Sequence, residues 1–206
     1  MERRPEFFQP TEDERRTIAD AARSPENVMS QLSAAQLHFE LADWPACLAA
    51  IDTGLTKAEK SSAPTRAQLY YVRGRVLLCM HDDAGAEAAL AEAIRENNGD
   101  NRKLGLDIQL AQARREMHRR DYTRALSLYA EVLKLDPKGP RGGAARYYTG
   151  LCLWRMDKKD AAKATWRAHK TEMPWDRLAR RSAASLGVPE SDAFTNQELF
   201  EEDGWW

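Results

Sequence analysis

A chain of 206 residues, 43% hydrophobic and 31% charged, has globular composition and is long enough for one sizeable domain or a short array of repeats. No stretch approaches 18 consecutive apolar residues, which excludes a membrane-spanning helix. The net charge of −1 hides an asymmetry: Glu190, Asp192, Glu198, Glu201, Glu202 and Asp203 stand after residue 187 with no Lys or Arg, leaving 31 bases against 26 acids in residues 1–187.

In chain order, the start "MERRPEFFQPTEDERR" has charge but no apolar run of a secretory leader, so the cytoplasm is the expected compartment. Thr11 to Glu14 has the form of a capping box and opens a short helix within an N-terminal arm, residues 1–23. Ser24-Pro25 predicts an N-cap with proline in the first turn of the next helix. Asp43, Asp121 and Asp157 each sit at a break between two apolar-periodic segments. Pro64, Pro140 and Pro174 open further segments. Alternating β-branched runs do not occur, and Ala, Leu, Arg and Glu dominate. The fold class is therefore all-α. Cys47, Cys79 and Cys152 are far apart, form no C-x-x-C, and read as small apolar residues of a reduced compartment.

Four stretches align: "ADWPACLAAIDTGL", "HDDAGAEAALAEAI", "RDYTRALSLYAEVL" and "MDKKDAAKATWRAH". Each has a break carrying Asp, a small residue (Cys47, Ala86, Ala125, Ala162) and, four positions on, a large one (Ile51, Leu90, Tyr129, Trp166). The small residues are 39, 39 and 37 positions apart. Another helix-length segment precedes each block, with Gly74 or Gly150 in the middle of two of them. A small residue lets two helix backbones approach, and a large one nearby fills the neighbour's groove. Helix pairs repeating in this way bury one another in a stack.

These residues resemble the tetratricopeptide repeat family. The third unit carries the strongest match, at Asp121, Tyr122, Ala125, Tyr129, Leu133 and Pro137. The second matches at Gly74, Leu77, Ala86, Leu90 and Ala93, the fourth at Gly150, Leu153, Ala162 and Trp166. The first matches at Ala35, Trp44, Cys47, Ile51 and Gly54. The resemblance covers roughly residues 28–172 and departs from the family's spacing, with the extra residues falling in "AEKSSAPTR" and "ENNGDNRK". It implies a right-handed α-solenoid of about four helix-turn-helix repeats over residues 24–187, with an N-terminal helix and a C-terminal cap helix from Pro174 to Leu186. It also implies that the first helix of each pair lines a concave face. The residues expected to be exposed there as a peptide-binding groove are Phe39, Tyr71, Arg75, Arg114, Met117, His118, Tyr147, Trp154 and Arg155. Aromatics and Arg together are the types that dominate binding hot spots. The family's clamp for a C-terminal carboxylate needs two Lys and two Asn. Leu32, Gln36, Arg75, Leu110 and Arg114 stand at the clamp positions, which argues against that chaperone role.

No catalytic chemistry is legible. His38, His81, His118 and His169 lack metal-ligand spacing. "GPRGG" at 139–143 lacks the Lys-Ser/Thr and strand context of a phosphate loop and reads as a turn. No catalytic residue, metal or cofactor is expected, and the chain reads as a non-enzyme. The basic clusters "ARREMHRRD" and "RLARRS" read as solvated helix faces without a nucleic-acid module behind them.

Residues 188–206 form an acidic, aromatic tail. "TNQELFEED" holds a second capping box, Thr195 to Glu198, and the apolar side chains are Phe194, Leu199, Phe200, Trp205 and Trp206. Such a turn is too short to hold by itself. The expected function is a protein-interaction adaptor or scaffold that binds acidic, apolar peptide segments, a description shared by chaperones and assembly factors. The alternative is a structural subunit of a larger complex that docks through its Trp-Trp tail. Self-docking of the tail, in one chain or in a homo-oligomer, is a further expectation.

Overall fold

The computed structural model describes residues 10–58, 63–176, 178, 179 and 186. Residues 1–9, most of the predicted cap helix and the acidic tail, with Phe194, Leu199, Phe200, Trp205 and Trp206, lie outside the described residues. Among the described residues the elements are nine α-helices and no strand: α1 Glu12–Arg23, α2 Val28–Glu40, α3 Trp44–Lys57, α4 Ala63–Cys79, α5 Asp83–Asn97, α6 Arg102–His118, α7 Tyr122–Leu135, α8 Pro140–Arg155 and α9 Lys159–Glu172. None is long and apolar enough to cross a membrane.

The helix ends follow local chemistry. The capping box at α1 forms as expected: the Glu14 amide donates to Thr11 Oγ1 (3.3 Å) and the Thr11 amide to Glu14 Oε2 (2.6 Å). Three acids, Glu12, Asp13 and Glu14, occupy its first turn, where the helix dipole favours them. Asp43, Asp82 and Asp121 cap α3, α5 and α7 by accepting from Ala46, Gly85 and Arg124 amides. One predicted start is displaced. Ser24 ends α1 instead of opening α2, whose N-cap is Asn27, accepting from both Met29 and Ser30 amides. Asp157 stands at the expected break between α8 and α9, in a left-handed backbone, and Lys158 is the N-cap of α9 without a side-chain bond.

That left-handed position recurs. Ala42, His81, Arg120 and Asp157 have φ of 54°, 61°, 62° and 59°, and stand 39, 39 and 37 residues apart. Each lies between the two helices of a pair: α2–α3, α4–α5, α6–α7 and α8–α9. At each, its amide donates to the carbonyl three residues back and the next amide to the carbonyl five residues before itself. For the first pair these are Ala42 to Phe39 (3.0 Å) and Asp43 to His38 (2.9 Å); the other three turns repeat them at 2.9–3.1 Å. This double bond satisfies the last carbonyls of the first helix and reverses the chain within a few residues.

The chain divides into two compact units, the first running to Leu104 and the second beginning at Gly105. In the first unit, α1 packs on α2, α2 on α3 and α4, α3 on α4, and α4 on α5. Its core is built on Leu32, Ala35, Phe39, Cys47, Ile51, Leu69, Val72 and Val76. In the second unit, α8 packs on both α7 and α9. There Asp107 of α6 takes a two-pronged bond from Arg141 of α8 at 2.8 and 2.6 Å.

The aligned positions all lie inside. Cys47, Ala86, Ala125 and Ala162 have no exposed surface, and Ile51, Leu90, Tyr129 and Trp166 at most 1%. A methyl group added at Gly74 would stand 2.7 Å from Leu90 Cγ and Cδ2. One at Gly150 would enter the Trp166 indole, whose Nε1 donates to the Tyr147 carbonyl at 3.1 Å. The glycines of "GPRGG" also serve contact rather than a free turn: Gly139 caps α8, and Gly143 leaves room on α8 for the Asp176 carboxylate. The first turn of the predicted cap segment is correspondingly moved. Pro174 and Trp175 form a turn, and Asp176 Oδ1 accepts from the Leu178 amide at 2.6 Å.

Gly150→Ala is expected to destabilise the protein by about 1–2 kcal/mol, since overpacking against Trp166 outweighs the gain of up to about 1 kcal/mol in helix propensity. Urea unfolding of the two proteins checks this; an unchanged or raised midpoint would refute the close contact.

Candidate functional site

Within the first unit, α4 presents Gln68, Tyr71, Arg75 and Cys79 at i, i+3, i+7 and i+11, all half-buried on one face. Exposed Gln36 and Glu40 stand on α2, together with Met29, which is 57% exposed. The Arg75 guanidinium carbon lies 4.0 Å from the Phe39 ring centre and 5.6 Å from that of Tyr71. Such a stack is an ordinary home for Arg, which is weakly hydrated and planar. Other arginines of this unit face carboxylates: Arg66 with Glu96 (2.7 Å), Arg73 with Asp52 (3.0 Å), and Arg95 with Glu92. Arg75 has no hydrogen bond or ion pair to any described residue, and its Nη2 is buried.

Within the second unit, Arg114 holds the position 39 residues after Arg75. Its guanidinium carbon is 5.6 Å from the Tyr148 ring centre. Tyr148 stacks on Tyr129 at 5.9 Å and meets Tyr147 edge-on at 5.3 Å. The Tyr129 hydroxyl donates to Met117 Sδ at 3.0 Å, and full burial holds its phenol well above the ordinary tyrosine range. Trp154 packs against Trp166 at 5.8 Å and lies under Lys159 and Lys163, at 5.8 and 5.9 Å. His118 and Arg155 end α6 and α8, half-buried.

The expected exposed face is thus corrected in four places. Phe39, Met117, Tyr147 and Trp154 are buried, at 3%, 7%, 1% and 9% exposure. Their rings and thioether fill space against neighbouring helices, as the Trp44–Phe39 pair (5.4 Å) shows for the first unit. What remains at the surface is Tyr71, Arg75, Arg114, His118 and Arg155, each half-buried. The cluster "ARREMHRRD" is also not one solvated face. Arg115 and Glu116 are buried and paired at 3.2 Å, while Arg119 and Arg120 are exposed.

Buried titratable groups elsewhere serve packing. His169 has no exposed surface, and its Nε2 lies 3.9 Å from Asp176 Oδ2. Burial lowers its pKa, while Asp176 pulls the other way. His38 is lowered for the same reason, with Asp43 opposing. Burial pushes the Cys47 and Cys152 thiols up to about 12; Cys47 donates to the Ala35 carbonyl at 3.1 Å. Among the described residues no group of three or more His, Cys, Asp or Glu is placed to hold a metal ion.

Comparison with protein-family models, with curated proteins and with solved structures finds no match to this chain. The tetratricopeptide resemblance therefore rests on the residues quoted above.

Two outcomes follow for the whole chain. A His whose folded pKa is depressed contributes stability above its unfolded pKa of about 6.5, and loses it as pH falls through that value. The urea midpoint should therefore drop between pH 7.5 and 5.5, and drop less in His169→Gln; equal drops would remove His169 from the account. A thiol-specific dye should react with half-buried Cys79 first, and with Cys47 and Cys152 only on unfolding. Fast reaction of either buried thiol in the native protein would contradict its burial.

Proposed function

We propose that the chain is a non-enzymatic adaptor built as a right-handed stack of four tetratricopeptide-like helix pairs, and that it binds an acidic segment of another protein carrying apolar residues. Two regularities support the stack: the same two-bond turn stands between the helices of all four pairs, and the small and large packing residues are buried at the same register in each.

The binding reading rests on one observation, the unpaired Arg75 on its aromatic bed. A half-buried guanidinium has lost part of its hydration, and here no carboxylate of a described residue compensates it. Tyr71 and Gln68 beside it, with Met29 and Gln36 on α2, offer apolar and amide contacts of the kind an extended peptide uses. A carboxylate side chain of the bound segment would take the free edge of the fork in a charge-assisted bond. Phe39 acts from beneath as a positioning residue. This reading fits assembly factors and chaperones that hold peptide segments, without the two-Lys, two-Asn clamp for a chain terminus.

Fluorescence anisotropy with labelled acidic, apolar peptides tests it. Arg75→Ala should weaken binding about tenfold or more, and Arg75→Lys should not restore it, because Lys lacks the planar fork and the stack. Equal affinity in all three proteins would remove the face of α2 and α4 from consideration.

A further inference from the structure

Two contacts fix how α2 and α4 lie along one another in the first unit. Near the helix starts, Thr65 Oγ1 donates to Met29 Sδ at 3.7 Å, a pair 36 residues apart in the chain. Ten residues further along each helix, the Arg75 guanidinium carbon stands 4.0 Å from the Phe39 ring centre, and this pair is also 36 residues apart. The two helices therefore run in the same direction and in one register. At the helical rise of 1.5 Å per residue, the two rungs are about 15 Å apart.

The rungs differ in chemistry. At the first, Met29 leaves 57% of its surface exposed, an apolar and flexible side chain without a cover. At the second, Arg75 meets no carboxylate of a described residue. Two side-chain amides lie between them. Gln68 stands three residues past Thr65, and Gln36 three residues before Phe39. Each is thus about 4.5 Å inside its own rung, and the two are about 6 Å apart along the helix direction. Gln36 is exposed and Gln68 half-buried, and neither amide bonds to a described residue.

We propose that this face takes an extended segment whose carboxylate side chain and large apolar side chain stand four or five residues apart. The inference rests on the Arg75 reading and adds to it the spacing of the ligand's two anchors. An extended chain advances about 3.3 Å per residue, so four or five steps cover the span of about 15 Å. A helical ligand needs about ten residues for the same span. The amides favour the extended form. Residues i and i+2 of a strand are about 6.6 Å apart with their backbone groups facing the same way, which matches the spacing of Gln68 and Gln36. A helix bonds those groups within itself and leaves the amides unanswered. Because a thioether adapts to different shapes, the Met29 end accepts Leu, Met or Phe, and the face reads spacing more than the identity of the apolar residue.

Titration of the full chain, followed by NMR, tests the proposal. Each peptide carries one Glu and one Leu in a background of Ser and Thr, with the two placed from two to ten residues apart and in both chain orders. Affinity should peak at a separation of four or five, about fivefold above that at two or eight, and the Met29 methyl signal should shift with the best peptide. Met29→Ala, at an exposed position, should lower the best peptide to the affinity of its Leu→Ala counterpart, while Arg75→Ala weakens every peptide of the set. Binding that Arg75→Ala weakens but that is indifferent to separation, or that peaks near ten, overturns the spacing and leaves the Arg75 site standing. A best peptide that binds Met29→Ala as tightly as the parent protein overturns it in the same way. Binding that Arg75→Ala leaves unchanged overturns both readings.

Discussion

The structure depends on one steric constraint: the two helices of each pair must approach closely where a small residue on the first faces the second. At Gly74 and Gly150 no room exists even for a methyl group, because Leu90 and Trp166 occupy it. Ala35 and Ala113 hold the same register in the other pairs and have no exposed surface. Close approach brings the turn residues into the left-handed conformation at Ala42, His81, Arg120 and Asp157, which ordinary side chains adopt only at a penalty of about 1 kcal/mol. Those turns persist because the packing beyond them offsets that strain, and because each satisfies two end carbonyls of the preceding helix.

The same constraint decides what the surface can offer. With the helices this close, the aromatic rings of the first helices are drawn into the interior, and Tyr147 keeps 1% of its surface exposed. The rings act from below, as supports for cations that remain half-exposed: Arg75 on Phe39, Arg114 on Tyr148, Lys159 and Lys163 on Trp154. A cation seated on a ring loses hydration on one side and keeps its donors on the other. It is therefore readier to meet a carboxylate than a fully solvated Lys or Arg.

Charge paired inside the chain serves a different purpose. Arg141 with Asp107 ties α8 to α6, and Asp176 enters the gap over Gly143 beside His169. Buried Arg115 and Glu116 satisfy one another, a pairing that specifies an arrangement more than it stabilises one. The contrast between these engaged groups and Arg75, which has no ion pair with a described residue, separates structural charge from charge open to a ligand.

Much of the helical frame was legible in the residues. The Thr11–Glu14 box, the Asp-bearing breaks at 43, 121 and 157, and the small-large register at 37–39-residue spacing are local or periodic signals, and local signals survive folding when packing agrees with them. Ser24-Pro25 misled because a cap is chosen by where the neighbouring helix lets the chain turn, not by residue type alone. Of the candidate site, residue identities were readable but exposure was not: Phe39, Met117, Tyr147 and Trp154 sit on the same helical faces as Tyr71 and Arg75, and only the distance between helices decided which were covered. The sequence by itself determined the helices and the spacing at which they pair. Which arginine lacks a carboxylate partner among the described residues was decided only by the tertiary structure, because that depends on distances between residues far apart in the chain.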